Sequence, residues 1–200
     1  MNKGGLVVKK QEMTRVWVED KFVPVTIVKV VPQEIVRYKT AEKDGYAAVV
    51  VGVDKKEKEA KKGKKIVYKD TIEFKIDSDY EQNNQVGKVF DVDMVQGIES
   101  VDVMGISKGK GFQGMVKRCN IKGMPATHGH KFTRTGGSKG NRKPRRTLKG
   151  HPHAGHMGVD RVTLKDIKIL DIVKANGEQL IALKGSLPGA YNGLLKITLN

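Results

Sequence analysis

Apolar residues along this chain recur mostly at every second position, the period of a strand with one buried face. Val16 and Val18 alternate with Arg15, Trp17 and Glu19, and Ile72, Phe74 and Ile76 alternate with Glu73 and Lys75. Short β-type runs are expected at 6–9 and 15–19, and the strongest strand at 22–31. Further strands are expected at 46–53, within 66–76, at 88–93 and at 100–106, with Val89, Val101 and Val103 inward. After a long interruption the pattern resumes at 159–164, 166–173, 179–184 and 194–199. Pro24 belongs near its strand's start or on an edge, because proline cannot donate to a ladder. Pro32 ends that strand, and Asn176-Gly177 is a strong hairpin signal. Trp17 is either a core residue at a strand end or a ring presented to RNA or protein, and alternation leaves both open. Nearly every element reads as a strand and breaks fall at short intervals, which predicts an all-β fold built as a barrel.

Two stretches escape the period. Residues 77–87 are polar and turn-like. Residues 54–66 hold seven Lys and two Glu between Lys55 and Lys65 with no apolar rhythm, and they are expected to form an exposed, solvated Lys-rich excursion.

The interruption itself, Val103 to Val159, changes the picture. These 57 residues carry thirteen of the 38 Lys and Arg, all five His and twelve of the 23 Gly, and no Asp or Glu. They therefore hold +13 of the chain's formal +16, while the remainder is nearly neutral. Few large apolar residues lie between Lys117 and Val159, so the segment cannot offset its chain entropy by burial and should be disordered alone. A strongly anionic partner must supply the missing stabilisation. A phosphate backbone fits, because neutralising phosphates releases condensed counterions. Gly allows close backbone approach, and Arg pairs with phosphates and stacks on bases. That mixture suits a segment threaded through folded RNA.

Other chemistry fits poorly. No apolar run is long enough to span a bilayer, no basic amphipathic helix suggests a membrane surface, and MNKGGLVVKK has no apolar core of the signal-peptide kind. The single Cys119 gives no disulfide framework, which suits a reducing cytosol. Gly109-Lys110-Gly111-Phe112-Gln113-Gly114 matches G-x-G-x-x-G, but the following MVKRCNIKGMP makes no clean helix and the first acid is Asp160. A Gly-Lys turn on RNA phosphates is the better reading than a dinucleotide site. His128 and His130, with His151, His153 and His156, lack the cysteines and orienting acids of a zinc site. Stacking on bases or donating to phosphate suits them better. Paired carboxylates, a nucleophile elbow and an acid among the histidines are all missing. No enzyme, no cofactor and no small-molecule substrate is therefore expected. An RNA-modifying enzyme with a basic tether and a DNA-compacting protein are the rival readings.

Several motifs together resemble a known family, that of bacterial large-subunit ribosomal protein three. They begin with GLVVKKQEMTR at Gly5 to Arg15, then Val23-Pro24-Val25-Thr26 and Asp44-Gly45-Tyr46. VDVMGISKGKGFQGMVKR at Val101 to Arg118 is the most specific block, followed by Ala126-Thr127-His128-Gly129 and Leu148-Lys149-Gly150. AGHMGVDRVT at Ala154 to Thr163 and LKGSLPGAYNG at Leu183 to Gly193 complete the match. Glu12 departs from the family's usual Gly before Met-Thr-Arg. Some members carry a methylated Gln in the extension tip. This chain has no Gln between Gln113 and Gln179, so that modification is not expected.

The resemblance implies a split β-barrel at 1–107 and 159–200, with residues 108–158 as a long basic, Gly-rich extension inserted between strands. It implies a structural role in the large ribosomal subunit, in the cytoplasm. It implies direct binding to large-subunit rRNA near its 3′ end, early action in assembly, and an extension reaching toward the peptidyl transferase centre. Ribosomal proteins fourteen and nineteen are the expected neighbours. The rRNA contacts expected on the barrel side are Lys9, Lys10, Thr14, Arg15 and Arg161. In the extension's first arm they are Lys108, Lys110, Phe112, Lys117, Arg118 and Lys122. Toward and through the tip they are His128, His130, Lys131, Arg134, Lys139, Arg142, Lys143, Arg145 and Arg146. On the return arm they are Lys149, His151, His153 and His156.

Overall fold

A computed structural model describes residues 4–60, 63–77, 80–138, 140, 146–175 and 177–199, with side chains omitted at 58–60, 63–65, 82, 83 and 175. The chain divides into two compact units, Met1–Ile106 with Arg161–Asn200, and Ser107–Asp160.

The first unit is built of strands, as the period-2 pattern requires. Six of them close into an antiparallel barrel in the order β1 (Gly5–Val18), β11 (Leu194–Leu199), β6 (Ser100–Ile106), β9 (Arg161–Ala175), β10 (Glu178–Lys184) and β2 (Lys21–Val30). A separate three-stranded antiparallel sheet holds β3 (Gln33–Lys39), β4 (Ala48–Ala60) and β5 (Gly63–Lys75). The all-β expectation is met.

One hydrophobic cluster serves both sheets, joining Leu6, Val8, Val103, Ile181 and Ile197 of the barrel to Ile35, Val49, Val51 and Phe74 of the second sheet. Leu6, Val7 and Val8 are consecutive and all buried, because this part of β1 is covered on both faces. Each such side chain contributes about 1.5–3 kcal/mol of burial. Gln33 ties the sheets together without leaving a polar group unmet. Its amide donates to the carbonyls of Val7 (3.0 Å) and Val31 (3.1 Å), and its Oε1 accepts from Val7 N (2.9 Å). Gly5 sits at the tightest point. A Cβ there would lie 2.2 Å from both the Ile197 carbonyl oxygen and the Phe74 ring.

Several boundaries differ from the sequence expectation, each for a local reason. The runs at 6–9 and 15–19 are one strand, β1, with a register shift between Lys10 and Met13. The runs at 159–164 and 166–173 are likewise one strand, β9. Asp166 takes a positive φ of 54°, and the pairing with β6 shifts register between Val101 and Val103. An extra residue in a strand reverses which face its side chains occupy, so one bulged strand reads as two short ones.

The strand expected at 88–93 does not form. Val89 makes a single bridge to Glu34, and Val92–Val95 is a 3₁₀ turn. Val89 is exposed rather than inward, while Phe90, Val92 and Val95 are buried. The 3₁₀ turn puts Val92 and Val95 on one side, a spacing that alternation misreads. Val101 and Val103 do point into the core.

The Lys-rich stretch is also more regular than expected. β4 and β5 stay paired from Ala48↔Lys75 out to Ala60↔Gly63. Lys55, Lys56 and Glu57 are exposed there, as anticipated for an excursion. Past Val53 no described side chain of this ribbon's outer part is buried, so no apolar period marks it. Pro24 lies on β2 just before the residues that pair with β10, free of any need to donate there. β9 ends at Ala175 and β10 begins at Glu178; Gly177 between them has φ +74°, and Asn176, the other half of the expected hairpin signal, lies outside the described residues.

Candidate nucleic-acid interface

The second unit, Ser107–Asp160, has two arms held together at their base by backbone. Ser107 N donates to Asp160 O (2.9 Å), Lys110 N to Met157 O (2.9 Å) and Met157 N to Gly111 O (3.0 Å). The two-residue strands β7 (Phe112–Gln113) and β8 (Gly155–His156) continue the pairing. Gly158 makes this approach possible. It has φ +84°, and a Cβ there would lie 2.3 Å from the Lys108 carbonyl oxygen. Here the Gly density of the segment has a definite mechanical cause.

A single helical turn, Met115–Cys119, follows Gly114 and stops at Asn120, whose φ of 53° suits an αL cap. The sequence offered no clean helix here, and one turn is all that forms. Arg118 on this turn staples the return arm. Its Nε donates to His156 O (3.1 Å) and its Nη1 to His153 O (2.9 Å), while Cys119 Sγ lies 3.6 Å from His153 O. Further out, Met124 N donates to Thr133 O (2.9 Å), and Gly123 with φ +76° admits that carbonyl. The His151 and His153 rings lie 5.6 Å apart.

Between residues 107 and 160 no described side chain is buried. Lys108, Lys110, Lys117, Arg118, Lys122, Lys131, Arg134, Arg146 and Lys149 are all exposed. His128, His130 and His156 are exposed, and His151 and His153 are half-buried. Phe112 is exposed over 77% of its surface. Lys139, Arg142, Lys143 and Arg145 lie outside the described residues. Among its described residues the unit thus combines backbone bonding with a cationic exterior and no apolar interior, which is an arrangement suited to an anionic polymer.

The candidates on the first unit are engaged differently. Lys9 pairs with Asp54 at 3.2 Å. The Lys10 ammonium donates to the carbonyls of Leu187 (2.7 Å) and Gly189 (3.3 Å), so it closes the loop before β11. Arg15 lies over the Phe22 ring at 6.0 Å, and Thr14 and Arg161 are exposed.

Sequence reasoning passed over Phe132, which is 66% exposed between Lys131 and Arg134. An aromatic residue among cations without a core to enter was its signal, since stacking on bases is what such a ring can do.

Comparison with known proteins gives a consistent picture. Residues 50–186 match the family model described as Ribosomal protein L3. The chain is 40% identical over 206 residues to the large ribosomal subunit protein uL3 of Francisella tularensis subsp. novicida, covering 97% of this chain and 96% of that one. It is 40% identical over 196 residues to uL3 of Deinococcus radiodurans, covering 96% of this chain and 92% of the relative.

Proposed function

Since the chain belongs to the ribosomal protein L3 family, a structural and non-enzymatic component of the bacterial ribosome in the cytoplasm, we propose how it serves the large ribosomal subunit. It binds large-subunit rRNA directly, and residues 107–160 make the principal contact. Their cations neutralise phosphates and release counterions, while the backbone-bonded base fixes the direction of both arms. Phosphate contacts position the chain, and shape supplies selectivity for folded RNA. The RNA bound lies near the 3′ end of the large-subunit rRNA, binding occurs early in assembly, and the tip reaches toward the peptidyl transferase centre. Ribosomal proteins fourteen and nineteen are its neighbours.

The observation that carries this reading is a unit of 54 residues with every described Lys and Arg exposed and no described side chain buried. Such a unit has no core to protect and a surface that demands an anion. Sedimentation of the native protein with large subunits in high-salt buffer tests it. Co-sedimentation that persists, and that is lost when rRNA is digested, is expected. Release of the protein while the rRNA is intact would overturn the reading.

A further inference from the structure

A second exposed surface lies on the first unit and has the opposite chemistry. β11 pairs with β1 only from Gly5 to Lys9, and β10 pairs with β2 only from Val25 to Lys29. Beyond those points β1 and β2 have only each other, from Arg15↔Pro24 to Val18↔Lys21, while Met13 lies where β1 has already lost β11. A two-stranded ribbon without a third strand has two solvent faces and little stability of its own. This ribbon should therefore be polar on both faces, and it is not. Met13 is 49% exposed, Trp17 58% and Phe22 65% on one face, and Val16 is 36% exposed on the other. Trp17 and Phe22 meet edge to face with centroids 4.6 Å apart, and Arg15 lies over Phe22. Cross-strand aromatic pairing stabilises the hairpin. That explains why the rings touch, but leaves most of their surface, and that of Met13, in water.

The charge of the ribbon decides what covers it. Its turn is acidic: Glu19 and Asp20 are exposed with φ of 45° and 59°. Arg15 and Lys21 balance them, so 15–23 sums to zero in a chain of +16. A surface for phosphates carries excess positive charge, and this one presents two carboxylates at its apex. Contiguous exposed apolar surface rimmed by charge is the mark of a protein interface.

We infer that the outer β1–β2 ribbon docks a neighbouring protein, with Trp17, Phe22 and Met13 as the apolar anchor and Glu19 and Asp20 receiving Lys or Arg side chains of a basic segment. The inference rests on the ribosomal reading above, because the partner must be a basic protein of the same particle. The ribbon is an arm for a protein, whereas residues 107–160 face RNA.

The test is photocrosslinking in assembled large subunits, with p-benzoylphenylalanine in place of Trp17 or of Phe22. Both side chains are exposed, so incorporation and melting temperature should match the wild type. Irradiation should join the chain to another protein, and the adduct should map to a Lys- or Arg-rich segment. In the same background, Glu19→Lys with Asp20→Lys should cut adduct yield several-fold without reducing the chain's own content in subunits. Adducts mainly to rRNA, or no adduct at all, would overturn the inference while leaving the ribosomal reading intact. Absence of the chain from purified subunits would defeat both.

Discussion

At the scale of single residues, two side chains carry consequences that charge counting hides. Arg118 looks like one more phosphate ligand in a basic run, yet its guanidinium already holds the carbonyls of His153 and His156. Arg118→Ala should therefore increase hydrogen exchange at Lys110 and Met157, whose amides close the base. Lys108→Ala should leave that exchange unchanged and make the salt dependence of RNA-fragment binding shallower by about one unit in log–log slope. Equal exchange in the two variants would refute the division. Glu34 is the second case. A hydrogen bond from the Tyr68 hydroxyl holds its carboxyl below the usual carboxylate range, with the Lys55 ammonium at 3.0 Å helping, against the opposing effect of burial. A depressed folded-state value adds stability above the ordinary carboxylate value, and that stability disappears as pH falls through the lowered one. Glu34→Gln should flatten the acid limb of the stability–pH curve while changing stability little near the acid end. A curve parallel to the wild type throughout would count against it.

At the scale of elements, what was legible in the sequence is what the core enforces. The runs at 22–31, 100–106, 179–184 and 194–199 became β2, β6, β10 and β11 with small changes at their ends, because each has one face against the shared cluster. Two elements were misread where that enforcement is missing or altered. Past Val53 the described side chains of the outer β4–β5 ribbon show no burial to impose a period, so its regular pairing left no apolar trace. At 88–95 the chain satisfies the core through Phe90, Val92 and Val95 in a bridge and a 3₁₀ turn, which alternation cannot describe. The segment we propose to face rRNA was legible as charge without acids. Its backbone-bonded base was not, because carbonyl and amide pairing leaves no compositional mark beyond Gly158. A consequence follows for the elements that bridge the two sheets. Gln33→Leu keeps the volume but strands the Val7 amide, while the Val7 carbonyl keeps Val31 N at 3.3 Å; a buried group left unmet costs about 1–3 kcal/mol. Thermal unfolding should show a clearly lowered melting temperature with the native circular dichroism retained. A melting temperature equal to wild type would mean that Gln33 is dispensable to the join between β1 and β3.

At the scale of the whole molecule, our proposal assigns stability and RNA contact to different residues. Every described buried hydrophobic side chain lies within 6–103 or 181–199. The described residues of 107–160 contribute none, so the barrel and its companion sheet hold the described apolar burial that opposes chain entropy. Deleting 133–146 and joining the ends with a short Gly-Ser link should thus leave the melting temperature nearly unchanged. Hydrogen exchange should separate the two parts in the free protein, with 122–156 unprotected, 22–31 and 166–173 protected, and 122–156 gaining protection once rRNA binds. Subunits should still incorporate the shortened chain, since the arms' base keeps Lys108, Lys110, Lys117 and Lys149. What should change is the RNA that the tip reaches, by our proposal near the peptidyl transferase centre. Chemical probing of purified subunits should show altered reactivity there, with a shift in peptide-bond formation or antibiotic sensitivity. If the shortened protein failed to fold, the tip would belong to a core and the separation of roles would be wrong. If probing near that centre were unchanged, the reach assigned to the tip would fail, while the barrel's independence, already read from its melting temperature, would stand.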